Sequence, residues 1–250
     1  MVKIYLFANR NIKEVLRDPS SLFFGIGFPL VLLAVLSVIN SALPAEANNT
    51  MFEITYLAPG LAMFGSVFMA MFIGMILSKD RTSSFLTRLF TSPMTAVDFL
   101  MGYTAPMIII TAVQASITFL AAYFFGLSFS IHIISAVFTT ALTSLLFIGT
   151  GLLAGNLLND KAVGGFCGAL LTNLAGWLSG IFIPIDLIGG TFKSIAHALP
   201  FYHNVEAIRD VMHGNYNEAV PHLAIVMVYT IAIFIIVIIT FRHRMSSDKP

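Results

Sequence analysis

The 250-residue chain carries few side chains with which to do covalent chemistry: six histidines, one cysteine and twelve carboxylates. Its nearest grouping is His197, His203, Glu206 and His213. The zinc-protease pattern, two histidines on one helix face flanking a glutamate, is absent. These histidines are expected at a wet interface, as polar groups on an outer helix, and no metal site is expected. A serine nucleophile needs a base to take its proton. The candidate, Ser179 in Gly176-Trp177-Leu178-Ser179-Gly180, has no histidine within the surrounding apolar stretches. No glycine-rich run ends in Gly-Lys-Ser or Gly-Lys-Thr, the arrangement that cradles nucleotide phosphates. The chain is therefore expected not to be an enzyme and to hold no cofactor; any ATP driving it must be bound by another chain.

What remains is chemistry of contact. Asn156, Thr172 and Asn173 are expected to be buried polar groups best placed to touch a ligand, although hydrogen bonds between helices would satisfy them as well. Met63, Met69, Met71 and Met75, with Phe64, Phe68 and Phe72, could form an adaptable apolar surface, because methionine repacks cheaply; lipid-facing filler is the leading expectation. Three glycine pairs spaced by four, Gly151/Gly155, Gly164/Gly168 and Gly176/Gly180, allow close backbone approach. Packing within one bundle is preferred over a dimer seam.

Composition says what must position these groups. With 58% hydrophobic and 10% charged residues, against roughly 25% charged in soluble domains, a water-facing surface cannot be built. The net charge of +1 gives no reason to expect nucleic acid as a partner, and the lone Cys167 permits no intrachain disulfide. A bilayer-crossing helix needs about 20 apolar residues. Stretches free of Asp, Glu, Lys and Arg run over residues 19–45, 54–78, 99–159, 162–185 and 219–241. The third, as one helix, would be roughly three times longer than the hydrocarbon is thick. It must fold back at Gly126, Ser128, Ser130 and His132, giving helices near 101–125 and 133–158. Six spans result. With the N-terminus inside, 11 of the 13 basic residues lie inside, leaving Lys193 and Arg209 outside, so both termini are expected in the cytoplasm. A cleaved signal peptide ending near Ala45-Glu46-Ala47 is the weaker reading, since the apolar run is too long for one. The spans hold no ionisable side chain except His132 and His222 at their ends, which disfavours a proton-coupled carrier or ion channel.

Three segments are not spans. Residues 1–18 read as an amphipathic helix on the inner surface, with Tyr5, Ala8, Ile12 and Val15 on its apolar side and Asn9, Arg10, Lys13, Glu14 and Arg17 opposite; it should stop before Asp18-Pro19. Residues 79–97 form an inner loop in which Phe85, Leu86, Leu89 and Phe90 make a short apolar stripe flanked by Arg81 and Arg88 and stopped by Ser92-Pro93. Residues 186–221 form the one sizeable outer segment. It is apolar enough to dip into the bilayer in its first half, while Glu206, Arg209 and Asp210 suit a surface helix in its second.

This order of parts resembles the ABC-2 family of exporter permeases over essentially the whole chain. Three stretches carry the resemblance: residues 11–19 leading into Gly27-Phe28-Pro29, residues 80–93 beginning Asp80-Arg81, and Leu178-Ser179-Gly180-Ile181-Phe182-Ile183-Pro184 followed by residues 198–209. Drug-exporting members usually carry Glu and Gly after Asp-Arg, where this chain has Thr82 and Ser84. The resemblance implies a single all-α membrane domain over residues 1–250, with an N-terminal connecting helix, six transmembrane helices and an outer re-entrant segment between the fifth and sixth. It implies pairing with a second copy or a homologous permease within membrane lipid. It also implies docking on an ABC ATPase, which binds ATP and Mg, through Arg10, Arg17, Arg81, Phe85, Leu86, Arg88 and Leu89. Asn156, Thr172, Asn173, Phe182 and Met71 would then border the substrate path. The uncharged spans suit an amphipathic or lipophilic cargo such as a drug, antibiotic or lipid; polysaccharide or teichoic-acid export, or a scaffold that transports nothing, are the alternatives.

Overall fold

The computed structural model describes residues 2–43, 50–83 and 95–247. Among them the regular elements are helices. They are α1 (Val2–Arg17), α2 (Pro19–Ala42), α3 (Ile54–Thr82), α4 (Ala96–Phe124), α5 (His132–Leu157), α6 (residues 160–178), α7 (Ile185–Ile188), α8 (Gly190–Ala198), α9 (Pro200–Met212) and α10 (Tyr216–Ser247). Five of these, α2 to α5 and α10, contain a stretch long and apolar enough to cross a membrane.

The boundaries follow local chemistry. Asp18 separates α1 from α2: its carboxylate accepts from the Ser20 and Ser21 amides at 3.2 Å and the Ser21 hydroxyl at 2.6 Å, and Pro19 opens α2 where its missing N–H costs nothing. The Ser21 hydroxyl, aided by those amides, lowers the Asp18 pKa. A Thr95–Asp98 capping box starts α4. The expected turn within residues 99–159 lies where the polar interruption put it, with Gly126 at φ 102°.

The segment expected to span residues 162–185 differs. It is helical only to Leu178, because Gly180 then takes φ 74°, a left-handed conformation that glycine adopts cheaply. Lys161, Thr172, Asn173 and several glycines make α6 less apolar than the five longer helices. Residues Gly164–Leu171 wind as a π-helix, as do Phe23–Gly27 in α2; neither was anticipated.

The bundle is organised around α3, which packs against α2, α4, α5, α6 and α9. Of its most apolar window 89% is buried, against 17% in α2 and α10. Met63, Met69, Phe64, Phe68 and Phe72 are therefore core residues, and the expectation of lipid-facing filler fails for them. The closest approach is between α3 and α5. A Cβ on Gly151 would fall on the Ala70 carbonyl oxygen, and one on Gly155 on that of Gly74. That pair serves packing within the bundle, as expected. Gly164 differs, with open space around it.

Helix α1 lies across α4 by a face other than its most obvious one. Phe7, Asn11 and Val15 are buried while Tyr5 and Leu16 are exposed. Phe7 sits over Gly102, edge-on to Tyr103 with ring centroids 4.8 Å apart, and Asn11 Nδ2 donates to the Gly102 carbonyl at 3.0 Å. Of the stripe read from the sequence, Val15 belongs to this contact, while Tyr5, Ala8 and Ile12 lie roughly a quarter of a turn away, on a side the chain leaves partly open.

Candidate functional site

Polar chemistry is concentrated at the two ends of α3. A 29-residue helix is about 43 Å long, more than the roughly 30 Å of hydrocarbon in a bilayer. Its first and last turns can therefore hold polar groups that its middle cannot.

At the C-terminal end, Asp80 is 3% exposed. Arg10 of α1 places both Nη atoms on its carboxylate, Nη2 on Oδ1 at 2.6 Å and Nη1 on Oδ2, a bidentate, charge-assisted contact. Tyr103 of α4 donates its hydroxyl to Oδ2 at 2.8 Å. Glu14 pairs with Arg10 one turn along α1 at 2.8 Å. Burial alone would lower the Arg10 pKa, but the hydrogen bond and charge of Asp80 outweigh it, and the pKa is raised. Arg81 points elsewhere, donating to the carbonyls of Asn156 at 2.5 Å and Leu158 at 2.8 Å, with Ser78 Oγ also on Leu158 O at 3.0 Å. These carbonyls at the end of α5 lack intrahelical donors, and a cation there also answers the helix dipole. Adjacent residues of α3 thus hold α1 and α4 on one side and α5 on the other.

At the N-terminal end the roles are reversed. Arg209 of α9, expected on a surface helix, is buried at 6% exposure. Its Nη1 pairs with Glu206 at 2.6 Å, Nη2 donates to Gly180 O at 3.2 Å, and Nε and Nη2 reach Tyr56 O at 3.4 Å. The guanidinium lies 3.5 Å from the centroid of the Tyr56 ring, a cation–π contact, and Tyr56 donates its hydroxyl to Gly180 O at 2.7 Å. One arginine thereby joins α9, the start of α3 and the turn that ends α6. The sequence signal for it, Tyr56 and Gly180 far from Arg209 in the chain, has no local pattern.

Of the residues expected to contact an ATPase, Arg10 and Arg81 are in the first junction. Arg17 is exposed at the end of α1. Phe85, Leu86, Arg88 and Leu89 lie outside the described residues, in the segment that follows Asp80 and Arg81 directly. Of the residues expected along a substrate path, Met71 and Phe182 border α6: the Met71 sulfur lies where a Cβ on Gly168 would be, and Phe182 packs against Gly176 and Phe64. Thr172 and Asn173 bond back to the Cys167 and Ala169 carbonyls of their own helix. Asn173 is exposed on the chain rather than buried, because it stands on the side of α6 turned away from α3. Asn156 is apart from these, buried between helices with its Nδ2 on Thr240 Oγ1 at 3.0 Å.

Ser179 Oγ is buried without a hydrogen-bond partner, so no base addresses it. Among the described residues no group of three or more His, Cys, Asp or Glu is placed to hold a metal ion.

Comparison with known proteins adds one match: a family model described as ABC-2 type transporter covers residues 2–213. No curated protein matches the chain.

Proposed function

The chain belongs to the ABC-2 type transporter family, and from that premise we propose that it is the membrane subunit of an exporter driven by a separate ATPase. As an ABC-2 membrane domain it is a transporter permease and not a catalytic domain. Its cargo, in this reading, is an amphipathic or lipophilic compound such as a drug, antibiotic or lipid. The permease works as a pair with a second copy or a homologue, in the cell membrane with both termini in the cytoplasm. Helix α6 is the fifth of six spans, and residues 186–221 form an outer re-entrant segment before the last, α10.

One observation carries the reading: Asp80 and Arg81, which open the segment resembling the family's ATPase-contacting loop (residues 80–93), are the residues that hold α1, α4 and α5 to α3. A load on that loop meets, within one turn of helix, the groups that hold α1, α4 and α5 to α3. ATP binding can shift this assembly only if the closed and open ATPase pairs bind the loop with different affinity. Helix α3 would then carry the displacement to Tyr56, and Arg209 would pass it to α9 and to the end of α6. Cargo would move along the α6 edge, past Met71, Thr172, Asn173 and Phe182, where two permeases meet, and leave past residues 181–199.

Rebuilt in vesicles with its cognate ATPase, the chain should support ATP-dependent export of a lipophilic dye. Phe85→Ala or Arg88→Ala should leave hydrolysis running without export. Absence of both ATPase association and ATP-dependent flux, with a verified partner supplied, would overturn the proposal.

A further inference from the structure

His203 of α9 and His222 of α10 face each other with their Nδ1 atoms 2.7 Å apart. The far nitrogen of His203, Nε2, lies 2.9 Å from the His197 carbonyl oxygen. A carbonyl only accepts, so this nitrogen carries a hydrogen, and in a neutral ring the other is then bare. His203 Nδ1 is therefore the acceptor and His222 Nδ1 the donor. His222 Nε2 keeps its lone pair and faces Asp210 Oδ2 at 3.9 Å. One further proton fits this chain, on His222 Nε2 beside the carboxylate. A second has only His203 Nδ1 to occupy, and two Nδ1–H groups directed at each other across that gap repel.

We propose that His203 and His222 form a proton-operated latch between α9 and α10, closed while the pair holds at most one extra proton and open once both rings are imidazolium. His197 faces the pair from α8, Tyr202, Glu206 and Asp210 from α9, and Glu218 from α10. Arg209 is committed to Glu206, Gly180 and Tyr56 on the other side of α9. Burial, then the charges of Glu206 and Glu218, push the Asp210 pKa up to about 6. The carboxylate that steadies a His222 imidazolium thus becomes neutral in the same range where imidazoles charge. Repulsion between the two Nδ1–H groups acts against the closed latch in acid, whereas the Asp210 proton, held more tightly in the buried state, opposes this in part. Because α9 also carries Arg209, release of α9 from α10 loosens the junction at the start of α3. Only the side of the membrane on which the latch senses pH rests on the orientation proposed above.

Hydrogen exchange of the full chain in lipid nanodiscs tests this without any transport assay. Corrected for intrinsic chemistry, amides of residues 200–212 and 216–229 should exchange about tenfold faster at pH 4.5 than at pH 7.5, the effect of one unit of pKa linkage. In His222→Asn the amide can donate to His203 Nδ1 or turn to accept from it, so the contact survives in either state and the acid response should vanish. His132→Gln, which alters the neighbouring contact of His132 with Tyr216, should keep the full response. The proposal is overturned if the wild-type response is absent, if His222→Asn retains it, or if His132→Gln abolishes it.

Discussion

At one end of α3 a carboxylate belonging to the helix itself, Asp80, draws an arginine in from α1; at the other, an arginine from α9 is drawn in over Tyr56 onto neutral carbonyls. The Arg10 side chain remains 36% exposed, so it can exchange Asp80 for water or Glu14 at modest cost. The Arg209 side chain is 7% exposed and has no such alternative. A contact with one solvated partner suits a joint that must move. A fully buried cation held by several acceptors suits a fixture. The Asp80 end of α3 is thus suited to movement and the Tyr56 end to holding.

Removing the fixture should cost most in stability. Arg209→Met leaves Glu206 without its cation and takes a donor from the Gly180 and Tyr56 carbonyls, and should destabilise the protein by about 3 kcal/mol, the scale for breaking a buried ion pair, while ATPase association persists; thermal unfolding with a pull-down checks both. Asp80→Asn should cost less, about 2 kcal/mol given the exposure of Arg10, yet abolish ATP-dependent export. If Asp80→Asn exports normally, the distinction between the two ends fails. Between the ends, Gly155→Ala drives a Cβ into the Gly74 backbone and should cost about 1–3 kcal/mol. Gly164→Ala, which meets open space, should be neutral or stabilise by up to about 1 kcal/mol through helix propensity. The smallest effect is expected at Asp210. Its folded pKa of about 6 lies above its ordinary value of 3.8, so the folded state keeps a proton that the unfolded state releases between them. That contribution to stability is present in acid and lost as pH rises through about 6. Asp210→Asn should therefore stabilise the protein at pH 7.5, by less than about 1 kcal/mol for a partly exposed group, read as a higher melting temperature, with the gain fading toward pH 4.

Much of this arrangement was legible in the sequence where one residue decides the outcome locally. Asp18-Pro19 ends α1, and Gly126 with its polar neighbours folds the long apolar run back on itself. Asp80-Arg81 marks the junction at the C-terminal end of α3, although neither partner could be assigned. What stayed hidden depends on partners distant in the chain. In a membrane protein an apolar stripe marks lipid as readily as protein, so the stripe of Tyr5, Ala8, Ile12 and Val15 shares only Val15 with the face that packs, where polar Asn11 is buried between Phe7 and Val15. The same ambiguity put the methionines of α3 in lipid. Arg209 looked solvated because its acceptors are backbone carbonyls, which no side-chain pattern announces. No residue signal announces the π-helical turns at Phe23–Gly27 and Gly164–Leu171.

The coupling role proposed for the Arg10–Asp80 junction is tested most directly by exchanging its charges in vesicles rebuilt with the cognate ATPase. Arg10→Asp and Asp80→Arg should each lower ATP-dependent export at least about tenfold, a loss of roughly 1.4 kcal/mol in the transmitted step, with ATPase still bound, and the double exchange should recover much of it. Wild-type export in either single variant would contradict a coupling role for the Arg10–Asp80 contact.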